Sequence, residues 1–137
     1  MRSGRYLARR SAVQALYQWQ MTHQPTQDIE GSFIKNEDLE GPHLDYFKVL
    51  IENIPDKVEQ LDSLMLPHLN RSLDSVDVIE HAILLVGVYE LKYQPDVPVS
   101  VVLDEAIELA KTFASENSYK YVNGVLDKVA GEVRGDI

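Results

Sequence analysis

Apolar residues recur along this chain every three or four positions, the period of helices with one buried face. Over residues 6–21, Ala8, Ala12, Ala15, Leu16 and Trp19 fall on one stripe, with Ser11, Gln14 and Gln18 opposite. Trp19 is expected in the core, and Pro25 is expected to end this helix. Residues 26–40 carry a shorter helix anchored by Ile29, Phe33 and Ile34, and "EGP" at 40–42 breaks the chain. Phe47, Ile51, Ile54, Val58, Leu61 and Met65 then alternate steps of four and three, a seam of almost three heptads. Pro55 falls inside it and removes a backbone donor. The seam stays in phase across the proline, so one kinked helix is expected rather than two, ending at Pro67.

"DVIE" at 77–80 is a capping box, with Asp77 as N-cap and Glu80 three residues on. The helix that follows, to about Tyr93, is apolar nearly all round, which predicts the central buried helix. Gly87 within it reads as a close-packing site. Pro95 and Pro98 make the next connection, and the β-branched Val99, Val101 and Val102 suggest an extended approach. Asp104 is then expected to cap a helix carrying Ala106, Ile107, Ala110 and Phe113. A last helix, from about Ser118, uses Val122, Val125, Leu126 and Val129. The fold class is all-α. "NRSLDS" at 70–75 is the expected boundary inside a single domain, with an N-terminal subdomain of about 1–70 and a C-terminal one of about 71–137.

Charge changes the picture. The chain has a net charge of −9, yet Arg2, Arg5, Arg9 and Arg10 precede the first acid, Asp28. Residues 24–90 then hold fourteen acids against four Lys or Arg. The positive end of a helix dipole disfavours basic side chains in the first turn, so a sequence tuned only for folding would place acids there. Arg2, Arg5 and Arg9 fall at the edge of the apolar stripe, in line with Leu16, and the arginines are expected to serve a polyanion outside the protein, the acidic body a second, basic partner. With no cysteine, a disulfide framework and thiolate metal sites are excluded. The longest apolar run, 82–86, is far too short to span a bilayer, and the N-terminus shows no long apolar stretch of a signal peptide. A soluble cytoplasmic protein is expected.

Enzyme signatures are missing from the sequence. His23, His43, His68 and His81 lack ligand spacing, and no phosphate-binding loop, dinucleotide loop or G-x-S-x-G elbow occurs. Asp104, Glu105 and Glu108 read as a solvated helix face. No catalytic residue, metal, cofactor or small-molecule substrate is expected. Basic side chains with exposed rings suit single-stranded RNA instead, because guanidinium groups meet phosphate and rings stack on unpaired bases. Tyr17, Tyr119 and Tyr121 are the candidate rings, each weighed against packing in the core.

Four separated segments, "SAVQALYQWQ" (11–20), "VGVYEL" (86–91), "DEAIELAKTF" (104–113) and "YVNGVLDK" (121–128), resemble in order and spacing the signature segments of NusB-type transcription antitermination factors. The resemblance implies about seven helices in two small bundles sharing a core. It also implies recognition of boxA RNA of ribosomal RNA operons. That recognition is joint with the ribosomal small-subunit protein NusE, in an RNA polymerase antitermination complex. Arg5 and Arg9 match basic positions of the family's RNA-binding arm, Tyr6 and Leu7 interrupt the run, and Arg10 compensates one position along. Lys120 and Tyr121 stand where the family has a basic residue and an aromatic. The implied RNA-binding set is thus Arg5, Arg9, Arg10, Tyr17, Lys120 and Tyr121. Asp77, Glu80 and Leu84 lie on one helical line and mix charge with an apolar side chain, as a contact for a basic ribosomal protein would. The competing reading is a helical protein–protein adaptor whose arginine arm is incidental. A second competitor is the RNA-binding module attached to some ribosomal RNA methyltransferases, disfavoured because no catalytic domain follows before Ile137.

Overall fold

Proline and left-handed residues decide where the helices of this chain stop. The computed structural model describes residues 5–135. Seven α-helices run through them: α1 (Tyr6–Thr22), α2 (Thr26–Asn36), α3 (Gly41–Asn53), α4 (Val58–Met65), α5 (Val78–Tyr93), α6 (Val99–Phe113) and α7 (Ser118–Arg134). Short 3₁₀ turns occupy Pro55–Lys57, Leu66–His68 and Leu73–Ser75. No strand occurs among the described residues, in keeping with the all-α reading. The chain divides into two compact units, Met1–Lys57 and Val58–Ile137.

In the first unit α1 packs on α3 and α2, and α2 packs on α3. Ala8, Ala12, Ala15 and Leu16 are buried as the stripe predicts, whereas Trp19 is only part-buried. α1 stops before Pro25: His23 turns left-handed at φ 58° and its N–H closes on the Trp19 carbonyl at 2.8 Å. The "EGP" break proves to be a helix start, with Gly41 at φ 59° and Pro42 in the first turn. Ile29, Phe47, Leu50 and Ile51 fill the core, and the Phe33 and Phe47 rings stack at 6.2 Å.

Pro55 splits its helix rather than kinking it. Its ring collides with the carbonyl four residues back and its nitrogen has no proton to donate, so the backbone tightens to 3₁₀ before α4 begins. The seam residues Phe47, Ile51, Ile54, Leu61 and Met65 are nonetheless buried, and Val58 is part-buried. The division between the compact units falls at this break, after Lys57, and not in the 70–75 stretch.

In the second unit α5 is enclosed by α4, α6 and α7. Every α5 residue from Ala82 to Leu91 is buried. A Cβ at Gly87 would stand 2.7 and 2.8 Å from the two Leu126 methyls, so the glycine lets α7 approach closely. Arg134 closes the other end of α5. Its Nε donates to the Leu91 carbonyl (2.8 Å), its Nη1 to Val97 (2.9 Å), and its Nη2 to Glu90 and Gln94 (3.1 Å each). One guanidinium thus satisfies carbonyls that a helix C-terminus leaves open.

α6 departs from expectation. Val99, Val101 and Val102 are helical, and Asp104 lies inside the helix, exposed, rather than at its cap. Pro98 stands at the N-cap with φ −60°, and its carbonyl accepts from Val101 N (3.0 Å) and Val102 N (3.1 Å). β-branched side chains cost only a few tenths of a kcal/mol each in a helix. Burial of Val102, Ala106, Leu109 and Ala110 outweighs that.

Two predictions follow from this packing. Arg134→Lys keeps the charge but cannot fork across four carbonyls, and should lower stability by about 2 kcal/mol in denaturant titrations. Glu30 on α2 is a pH-sensitive point of the first unit. Burial, a hydrogen bond with Glu52 and the Glu52 charge raise its pKa from 4.5 to about 7, against a smaller opposing pull from Lys48. The folded chain therefore holds the extra proton between those values, and stability contributed there falls as pH rises through that window. Glu30→Gln should raise the melting temperature at pH 8 and leave it nearly unchanged at pH 4.

Candidate nucleic-acid and partner interface

The arginines of α1 do not form one uniform charged face. Arg2 lies outside the described residues. Arg9 is 1% exposed, so its side chain is an interior group and not a surface contact. Arg5 is part-buried, and Arg10 is exposed. The helical period explains the difference, since Arg9 follows Arg5 by one turn on the side where α3 packs. There Tyr46 of α3 meets both: the Arg5 Cζ stands 4.3 Å from its ring centroid and the Arg9 Cζ 5.5 Å. Tyr46 is missed by sequence reading, because no local spacing links it to the arginines.

Arg10 opens on a cleft of about 180 Å³ shared with Gln14, Glu37 and Leu39. Leu7, Arg10, Gln14, Tyr17 and Met21 follow one another at steps of three and four along α1. Leu7, Tyr17 and Met21 are exposed large apolar side chains, Tyr17 at 40%. The helix therefore presents a strip in which a guanidinium and an exposed ring lie within two turns.

The second unit brings together the N-termini of α5 and α7. Asp77 caps α5 as expected, its Oδ1 accepting from Ile79 N at 3.1 Å. Glu80 is 7% exposed and accepts a short hydrogen bond from the Ser118 hydroxyl. Leu84 is 0% exposed, which corrects its reading as a surface contact: on a helix apolar nearly all round, the next turn below Glu80 is already core. Tyr121 is part-buried and its hydroxyl donates to the Leu69 carbonyl at 2.6 Å. Burial raises its pKa, the Arg71 charge opposes that, and Glu80 adds to it. The Arg71 guanidinium lies 4.0 Å over the Tyr121 ring. These groups line a cleft of about 630 Å³ with Asp74, Asp77 and Glu80. Arg71 is the second residue missed from sequence, because it falls in the stretch read as a boundary. Lys120 is exposed, with its Nζ 6.0 Å from the Tyr119 ring. His68 and His81 each meet one carboxylate, Glu132 at 2.8 Å and Asp62 at 2.6 Å.

This architecture has counterparts among known proteins. The profile of the NusB family matches residues 7–131. The transcription antitermination protein NusB of Mannheimia succiniciproducens is 49% identical over 128 residues, covering 93% of this chain and 90% of that protein. NusB of T. maritima superposes with a TM-score of 0.82 at 32% identity, covering 96% of this chain and 94% of that one. A chain from the crystal structure of the antitermination factors NusB and NusE in complex with dsRNA gives a TM-score of 0.86 at 26% identity, covering 93% and 96%. Both the sequence and the seven-helix architecture therefore lead to one conclusion: the chain belongs to the NusB family.

Proposed function

We propose that this chain is a cytoplasmic, RNA-binding transcription antitermination factor. It recognises boxA RNA of ribosomal RNA operons together with the ribosomal small-subunit protein NusE, within an RNA polymerase antitermination complex. The observation that carries the reading is the family match over nearly the whole chain, joined to a relative whose structure holds NusE and dsRNA. Among the described residues no helix is long and apolar enough to cross a membrane.

The arginine arm supports RNA against the adaptor reading. Arg5, Arg10 and Lys120 supply cations for phosphate, and the exposed Tyr17 ring offers a stacking face for a base. Tyr121 contributes through the Arg71 plane stacked on it. Arg9 belongs to this set as a buried support beside Tyr46. The acidic cleft at Asp77 and Glu80 suits a basic protein.

Titration of labelled boxA-like RNA, with and without the ribosomal protein, tests the first half. Each phosphate contact on a single strand adds about −0.7 to the slope of log K against log salt. Arg5→Ala, Arg10→Ala and Lys120→Ala should each flatten the slope by about that amount. An affinity indifferent to salt leaves the adaptor reading standing instead. For the second half, Asp77→Asn keeps the helix cap and Glu80→Gln keeps an acceptor for Ser118, while both remove charge. These variants should melt like the parent chain yet associate more slowly with the basic ribosomal protein and respond less to salt. Unchanged association of both would rule out docking at this cleft.

A further inference from the structure

We infer that Lys111, Tyr119 and Lys120, at the corner between α6 and α7, form one subsite for single-stranded RNA: the Tyr119 ring stacks on an unpaired base and the two ammonium groups meet the phosphates beside it. The inference rests on the RNA reading above and adds to it Lys111 and a choice between neighbouring tyrosines. Lys111 stands in the last turn of α6 and Lys120 in the first turn of α7. The Lys111 Nζ lies 4.9 Å from the Tyr119 ring centroid and the Lys120 Nζ 6.0 Å. Two helices thus bring two cations to one ring. Both lysines are exposed, and among the described residues neither is held by a carboxylate. The last turn of a helix favours a cation but the first turn disfavours one, so folding alone gives no reason for Lys120. Residues 109–126 hold these two lysines against a single acid, Glu116, in a chain of net charge −9.

Tyr121, two positions on, is built differently. Its hydroxyl is tied to the Leu69 carbonyl at 2.6 Å, and the Arg71 guanidinium lies over its ring at 4.0 Å. A base stacking on that face would first have to displace a planar guanidinium. The groups over Tyr119 are lysine tips instead. Cation–π contacts of exposed ammonium groups are weak, so both tips leave the ring for phosphate oxygens at little cost. Their departure bares the ring just where the backbone has been caught. A ring for the base with cations for the backbone is the arrangement that single-stranded nucleic acid takes.

The test uses the full chain and boxA-like single-stranded RNA carrying 5-iodouridine, which crosslinks under light to an aromatic ring stacked on it. Mass spectrometry of the parent complex should find the crosslink on Tyr119. In a salt series, Lys111→Gln with Lys120→Gln should flatten the slope of log K against log salt by about 1.4, two contacts at about 0.7 each. Tyr119→Phe should bind as the parent does, and Tyr119→Leu should weaken binding about tenfold with the salt slope kept. The melting temperature should stay level in the lysine variants, which separates binding from folding. Crosslinks that spare Tyr119, or a slope unchanged in the double lysine variant, overturn this subsite alone. A parent chain without salt-dependent RNA binding overturns the RNA reading and the subsite with it.

Discussion

Enclosing α5 is the constraint on which the second unit depends. A helix buried from Ala82 to Leu91 has no side that can face water. Each buried Leu or Ile is worth about 1.5–3 kcal/mol, so three partners must surround it. α4, α6 and α7 do so, and Gly87 sets how near α7 comes. At its ends α5 meets polar groups. At its C-terminus Arg134 collects four carbonyls. At its N-terminus Asp77 caps, and Glu80 sinks below the surface against Ser118. The positive end of the helix dipole favours both carboxylates there. The acidic cleft is thus a product of how a wholly buried helix must begin.

A second theme is the pairing of tyrosine with arginine. It occurs at Tyr46 with Arg5 and Arg9, and at Tyr121 with Arg71. A carboxylate holds a guanidinium by its N–H edge and uses up the donors a phosphate would want. A ring holds it by its face instead.

Much of the fold was legible locally. Periodicity located six helical stretches, with α3 and α4 run together across Pro55, and the buried character of α5; the close approach at Gly87 was read from the glycine itself. The cap at Asp77 followed from four consecutive residues. Family resemblance in four segments pointed to the architecture and to the arginine arm. The errors were of two kinds. Pro55 and the valines opening α6 were misread because their outcome depends on a balance of small terms, local strain against burial, that a pattern of apolar positions does not weigh. Arg9 was misread because a charged residue type was taken as a guide to exposure, and Leu84 because it shares a helical line with Asp77 and Glu80.

What the sequence by itself determined was the set of helices, which face of each is apolar, and the uneven distribution of charge. These are short-range properties, carried within a turn or two of one helix. Only tertiary structure decided which polar groups those faces cover and which partners they meet. Arg9 lies inside because α3 brings Tyr46 against that side of α1, from thirty-seven positions along the chain. Tyr121 is tied to Leu69 and covered by Arg71 across about fifty residues of sequence. No local pattern encodes such distances, because a helix specifies its own periodicity but not its neighbour.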